Sequence, residues 1–357
     1  MQKNNLKIID IFSGCGGLTL GFKNAGFKDL LAVDNDQPSL ETYKNNFPET
    51  NTLNLDLFKP DSIKEIVRSI GKNKVSGIIG GPPCQGFSLT GPRKFNDPRN
   101  RLYLAFIELV DKIAPNFFLI ENVPGVKRLY SGKIYEEIEK KFTRLGFNVT
   151  SEIINSADYG VPQIRKRLFI IGTKKQIPQF EFPAPTHSPD NYISCKEAIN
   201  DLPKRDPRKD IGTDKSKYSK SPSSDYQIKM KSDCNILWNH VATAHKDFVI
   251  ETISQVPDGG NWRDLPPGVG ESRKFNEAWT RYNSKKPSRT IDTGHRNHFH
   301  YKYNRVPTIR ENARLQSFPD NFRFFGNKSQ QNRQVGNAVP PILAYKLALQ
   351  LKKLLKK

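Results

Sequence analysis

Short apolar runs alternate with segments of helical periodicity up to about Pro178. LKIIDIF (6–12), DLLAV (29–33), SGIIG (76–80), NFFLIEN (116–122) and RLFIIG (167–172) are apolar stretches of strand length. Between them, Ser39–Asn46, Asp61–Ile70, Leu102–Ile113 and Tyr135–Leu145 repeat apolar residues every three or four positions, as a helix with one buried face does. Strands that read as continuous apolar runs are covered on both faces. Alternating with helices, they predict an α/β fold with a doubly wound, mainly parallel sheet.

The rhythm breaks near Pro178. FEFPAPTHSPD is rich in proline, which favours an extended connection. Lys204–Lys231 is polar and basic and reads as loop-rich surface. The segment 235–325 carries aromatic and basic residues without strand–helix alternation. A second, smaller, irregular, β-containing domain is expected there. The closing PPILAYKLALQLKKLLKK (340–357) is an amphipathic helix. It reads as the packed last helix of a globular domain, with a membrane-surface helix as the alternative.

Charge changes the picture more than size does. The 357 residues are 36% hydrophobic, enough for a substantial core, but Lys and Arg number 57 against 36 Asp and Glu, a formal charge of +21. Such an excess speaks to partners. Nucleic acid comes first, an acidic membrane surface second. No run approaches the ~20 apolar residues of a transmembrane helix, and MQKNNLKIIDIFSG lacks a signal-peptide core, so a cytoplasmic protein is expected. Cys15, Cys84, Cys195 and Cys234 show no CxxC pairing, which disfavours disulfides and zinc. His295, His298 and His300 in HRNHFH have no Cys or carboxylate at a metal-ligand spacing, and no metal is expected.

Chemistry gathers where strands end. The first strand runs into Asp10-Ile11-Phe12-Ser13-Gly14-Cys15-Gly16-Gly17, a glycine-rich turn able to approach a ligand closely. It has neither the Lys-Ser/Thr ending of a P-loop nor a full GxGxxG. The second strand ends in Asp34-Asn35-Asp36, where an acid suits ribose hydroxyls. Asp56 follows in NLDLF. Together these point to an adenosine-containing cofactor, with a plain tight turn and solvated acids as the alternative. Gly80-Gly81-Pro82-Pro83-Cys84-Gln85-Gly86 then puts a lone thiol at the sheet's carboxyl edge, and a neighbouring strand end carries Glu121. Arg165 and Arg167, one residue apart, lie on one side of an extended backbone. A thiol, a carboxyl and paired cations suggest covalent catalysis on a polar ring.

DIFSGCGGLTLGF, GGPPCQGFS, ENVPG, QIRKRLFIIG, RENARLQSFPD and QVGNAVPP stand in that order over nearly the whole chain. In this the sequence resembles the cytosine-5 DNA methyltransferases of the prokaryotic restriction–modification type. The resemblance implies a Rossmann-like domain using S-adenosylmethionine (S-adenosylhomocysteine as product), with a target-recognition domain clamping DNA. It implies a catalytic domain at 1–184, a recognition domain at 185–328, and a segment 329–357 returning to the first. Phe12, Gly14, Gly16 and Gly17 would line the cofactor turn, Asp34 would bind the ribose, and Asn35 would lie beside the adenine. The family often has a large aromatic at the position of Asn35. Asp56 matches the acid on the adenine amine, and Leu57, Pro83, Leu102, Asn337 and Val339 would complete the wall.

The implied reaction follows from the base. Carbon 5 of cytosine is a poor nucleophile until the Cys84 thiolate adds to carbon 6. Glu121, protonated, would bond ring nitrogen 3, Arg167 the base carbonyl, and Arg165 would support Cys84 and a nearby phosphate. The cytosine must be flipped out of the duplex. Gln85, Ser88, Arg93, Lys94 and Arg99 would close over the DNA, and Thr290 in SRTI would meet the target strand. Arg310 and Glu311 are expected to organise the domain rather than read bases. The implied partner is double-stranded DNA, with a monomeric enzyme that is either paired with a cognate restriction endonuclease acting on the same sequence without direct contact, or a solitary methylase. Two alternatives are a tRNA-methylating member of the family, though its Cys-Phe-Thr element is not found, and a catalytically dead DNA-binding regulator.

Overall fold

The computed structural model describes residues 6–83, 101–127, 132–206, 214–271, 275–294 and 296–356. These fall into two compact units. Unit 1 comprises Met1–Asn155, Lys166–Ala184 and Pro341–Lys357, and unit 2 comprises Ser156–Arg165 and Pro185–Pro340.

Among the described residues, unit 1 has one seven-stranded sheet. Its strands are β1 (Lys7–Ile11), β2 (Lys28–Asp34), β3 (Asn51–Asn54), β4 (Gly77–Gly80), β5 (Phe117–Asn122), β6 (Phe147–Asn155) and β7 (Lys166–Lys174), in spatial order β3-β2-β1-β4-β5-β7-β6. The first five run parallel, and β7 lies antiparallel between β5 and β6. Strand order reverses between β1 and β4. Open α/β sheets bind ligands beyond the carboxyl ends of the strands at such a reversal.

The sheet is central because its strands are apolar on both faces. Phe117, Phe118, Leu119 and Ile120 of β5 are fully buried, as are Leu168–Ile171 of β7. The connecting helices are α1 (Gly17–Asn24), α2 (Gln37–Asn46), α3 (Ser62–Ile70), α4 (Arg101–Ile113) and α5 (Lys133–Arg144). In α3, Ile63, Ile66 and Ile70 face inward while Lys64, Glu65 and Arg68 are exposed. Phe106, Leu109 and Val110 of α4 and Phe142 of α5 join Ile9, Leu31, Ile78 and Phe118 in one cluster. Each such side chain contributes about 1.5–3 kcal/mol of burial. On the other face, Phe22 of α1 stacks on Phe117 with ring centroids 6.2 Å apart. The expected strands and helices lie within about two residues of these elements. β3 (NTLN) and the half-exposed β6 carry too little apolar signal to stand out, because both are edge strands.

Unit 2 packs an apolar cluster around Trp279 and Phe299 and also buries several charged side chains. Its helices are α6 (Cys195–Ile199), α7 (Asp225–Lys231), α8 (Asp247–Ser254), α9 (Ile309–Leu315) and α10 (Lys328–Asn337). Its strands are the two-residue pairs β8 (Ser216–Lys217) with β9 (Ile236–Leu237) and β10 (Thr280–Arg281) with β11 (His298–Phe299). Arg310 donates to the carbonyls of Trp238, Pro319 and Phe322, and Arg314 bridges Asp201 and Asp320. Arg305 meets both oxygens of Glu311, each at 2.7 Å. Arg310 and Glu311 thus organise the unit, as expected. The chain then re-enters unit 1 through α11 (Pro341–Leu354), which packs against α1 so closely that a Cβ on Gly21 would lie 2.4 Å from that of Ala344. Its apolar face is therefore covered by protein.

Candidate active site

The glycine-rich turn after β1 is built on left-handed backbone. Phe12 has φ 61°, unusual for a residue with a side chain, and Gly14 and Gly16 have φ 52° and 91°. A Cβ on Gly16 would lie 2.5 Å from the Phe47 ring, whereas one on Gly14 would meet nothing within 4 Å. The backbone is closed on one side and open on the other. The Gly14 N–H donates to Asp34 Oδ2 at 2.8 Å, and the Asp36 N–H to Oδ1 at 2.9 Å. Burial nevertheless raises the pKa of Asp34, against the pull of those backbone donors. The Ser13 hydroxyl is buried without a hydrogen-bond partner among the described residues. Gly17 opens α1, and Asn35 is exposed beside Asp34. Asp56 accepts from the Phe58 N–H at 3.0 Å, Leu57 and Leu102 are buried, and Pro83 is half-buried.

Beneath the turn, Asp10 accepts from Thr19 Oγ1 at 2.6 Å, Tyr43 donates to that hydroxyl at 2.9 Å, and Tyr43 also reaches Asp29. Burial pushes the Asp10 carboxyl up to about 8, the Thr19 bond opposes this, and the charges of Asp29 and Asp34 add to it. Cys15 is also buried, and its thiol is pushed up to about 12, so it is an inert packing group.

The second cluster forms where β5 ends. Glu121 faces Phe169 across the antiparallel β5–β7 ladder, so Arg167, two residues along, is its diagonal neighbour on the same face. Glu121 Oε1 lies 3.1 Å from Arg167 Nε, but without hydrogen-bond alignment, and that oxygen has no hydrogen-bond partner among the described residues. Both side chains are mostly buried, at 12% and 18% exposed. A Cβ on Gly81 would lie 3.3 Å from Glu121 Oε2, so the strand end leading to Cys84 passes beside the carboxyl. Asn122 donates through its amide to the Pro82 carbonyl and the Tyr103 hydroxyl, each at 2.9 Å. Its importance was legible only as the middle of ENV. Tyr103 gave no sequence signal.

Cys84, Gln85, Ser88, Arg93, Lys94, Arg99 and His295 lie outside the described residues. Four expected site residues belong to unit 2. Arg165 is 1% exposed and donates to the carbonyls of Gly336 (2.9 Å) and Asn337 (3.4 Å), tying QIRKR to QVGN. Asn337 ends α10 and is exposed, Val339 is buried, and Thr290 donates to the Ile164 carbonyl at 2.9 Å. His298 meets Glu277 at 3.0 Å, and His300 accepts from the N–H groups of Lys302 and Tyr303. Among the described residues no group of three potential ligands could hold a metal, and no helix is long and apolar enough to cross a membrane.

A strand-order reversal, a glycine-rich turn bonded to an acid at the next strand end, and a carboxyl–guanidinium pair make unit 1 an open α/β domain with a ligand-binding edge. The model of the C-5 cytosine-specific DNA methylase family matches residues 6–353; the chain belongs to that family and is a DNA cytosine-5 methyltransferase. The family depends on S-adenosylmethionine. The chain is 40% identical to the type II methyltransferase M1.HphI of Haemophilus parahaemolyticus, covering 96% of this chain and 86% of that protein. It is 35% identical to M.DdeI of Desulfomicrobium norvegicum, over 96% and 88%. A solved E. coli structure, described as a candidate DNA modification methyltransferase from a prophage, superposes with a TM-score of 0.83 at 31% identity, covering 99% of this chain and 100% of that one.

Proposed function

We propose that the enzyme methylates carbon 5 of a cytosine flipped out of a short, specific duplex sequence, through a transient bond from Cys84 to carbon 6. The observation that carries this reading is Glu121 beside Arg167, with Gly81 passing against the carboxyl three residues before Cys84. The Cys84 thiolate adds to carbon 6, and its electron pair makes carbon 5 nucleophilic. Glu121 shares a proton with ring nitrogen 3 as negative charge grows there. Arg167, not aligned on Glu121, keeps N–H groups for the base carbonyl. After carbon 5 takes the methyl group, loss of its proton restores the ring double bond and expels the thiolate.

The turn suits S-adenosylmethionine: open space at Gly14, an unpartnered Ser13 hydroxyl and the Asp34 carboxylate at the strand end support this fit. Bound there, the cofactor supplies an electrophilic methyl group on a sulfonium. Phe12, Gly16 and Gly17 shape the turn, Asp34 holds the ribose, and Asn35, Asp56, Leu57, Pro83, Leu102, Asn337 and Val339 surround the remainder. Arg165 positions the QVGN segment. Gln85, Ser88, Arg93, Lys94 and Arg99 meet DNA around the flipped base, and Thr290 the target strand. Residues 185–328 read the sequence. The type II names of the relatives support a restriction–modification role, with an endonuclease cutting the same sequence. The enzyme works as a cytoplasmic monomer.

The test is expression in a host without cytosine methylation, followed by single-base sequencing of 5-methylcytosine. One short recurrent methylated motif is expected with the parent chain and none with Cys84→Ala. An unmodified genome with folded, cofactor-binding protein would contradict the reading and make the host's tRNA the next substrate to examine.

A further inference from the structure

Unit 2 contains a cavity of about 360 Å³ that the reaction described so far does not use. Val249, Phe299 and Val306 form its apolar walls, and Arg296, Lys328 and Asn332 are among its polar residues. Asn332 is 1% exposed, yet neither its amide oxygen nor its amide nitrogen has a hydrogen-bond partner among the described residues. A buried amide left in this state is unfavourable unless water or a ligand completes it. Among the described residues no acidic side chain lines the cavity. The nearby Asp292 is engaged by the Gly294 N–H and the Asn297 amide, at 2.8 and 2.9 Å. Lys328 donates to the Ala242 carbonyl at 3.1 Å and to Thr243 Oγ1 at 2.9 Å, which leaves a third ammonium hydrogen. It also opens α10, where first-turn N–H groups add positive potential. Burial and then the Arg305 charge lower its pKa, as expected of a cation held without a counter-charge.

We propose that this cavity binds one nucleotide of the DNA other than the cytosine being methylated, with the base edge on Asn332 and a phosphate at Lys328 and Arg296. An asparagine amide presents an acceptor beside a donor. Adenine offers the complement in its N6 amino group and N7, so adenine is the preferred base. The proposal rests on the reading that the enzyme recognises a specific duplex sequence, and it adds to residues 185–328 a contact from α10, which begins at their end. A free adenine nucleotide has the same chemistry, and the test separates the two sources.

The full chain is assayed on duplexes carrying its methylated motif, with each adenine in and beside the motif replaced in turn by 7-deazaadenine, which lacks the N7 acceptor. The parent enzyme is expected to lose about 5- to 100-fold in kcat/KM at one position. Asn332→Leu is expected to lose as much on the unmodified duplex, with no further loss at that position and unchanged cofactor affinity. Indifference of the parent to every replacement, or retained discrimination in Asn332→Leu, overturns the proposal. Failure of the functional reading is seen separately, as absence of 5-methylcytosine with the parent chain. Should Asn332→Leu not fold, Lys328→Gln serves: it is expected to reduce the slope of log affinity against log salt by about one, and an unchanged slope overturns the phosphate contact. Binding of dAMP alone that is lost in Asn332→Leu, with duplex discrimination unaffected, assigns the cavity to a free nucleotide and also overturns the proposal.

Discussion

Asp10 shows how a single side chain ties stability to pH beneath the glycine-rich turn. Its carboxyl is buried, bonded to Thr19 and pushed up to about 8. The folded chain therefore binds this proton more tightly than the unfolded chain does. The resulting stability is fully present below the ordinary carboxylate value and is lost as pH rises through about 8. Asp10→Asn removes the titration. In denaturant melts across pH, the parent is expected to lose stability relative to the variant up to about pH 8 and no further. A constant offset would argue against a buried neutral acid. At the reaction centre, Glu121→Ala is expected to lower kcat by about 100-fold or more, while Glu121→Gln, which can still donate to nitrogen 3, loses less. Calorimetry should find cofactor affinity unchanged in both. Glu121 and Asp34 stood out in the sequence because each lies in a motif at a strand end, whereas nothing in the sequence marked Asp10 as buried. The Thr19–Tyr43 connection was not legible either, because it joins residues whose side chains meet only when α1 and α2 fold beside the sheet.

At the scale of elements, Asn122 is a clamp. Its amide bonds the Pro82 carbonyl, two residues before Cys84, and the Tyr103 hydroxyl, in α4 just after the 84–100 segment. One side chain of β5 thus bonds both flanks of the segment that contains Cys84, the nucleophile we propose. Each buried bond contributes about 0.5–1.5 kcal/mol. Asn122→Ala is expected to slow single-turnover methyl transfer about 10-fold with little change in cofactor binding. Tyr103→Phe, which loses one bond, should show a smaller effect. Equal rates in parent and both variants would remove the clamp from the account. The central strands and amphipathic helices were readable from apolar runs and three-to-four spacing. β8 to β11 were not, because two-residue strands carry no periodicity and their order comes from side chains such as Arg281, which donates to the carbonyls of Ile253, Val256 and His300.

At the scale of the whole molecule, charge and topology answer different questions. The parallel strands put the glycine-rich turn and Glu121 at one edge of the sheet, and their motifs at strand ends were visible in the sequence. The +21 charge says how the substrate is held. Neutralised phosphates release counterions, so log DNA affinity should fall linearly with log salt, by roughly 0.9 per phosphate contact, while cofactor affinity should scarcely change. A salt-insensitive DNA affinity would contradict phosphate-dominated binding. The central claim is covalent catalysis by Cys84 with Glu121 at ring nitrogen 3, and the most direct test is a duplex whose target cytosine carries fluorine at carbon 5. No carbon 5 proton can then be lost, so the thiolate cannot be expelled. A denaturation-resistant protein–DNA complex is expected, dependent on S-adenosylmethionine, with the methylated base attached to the Cys84 peptide and absent from Cys84→Ala. No stable complex with active enzyme, or attachment at another residue, would contradict it.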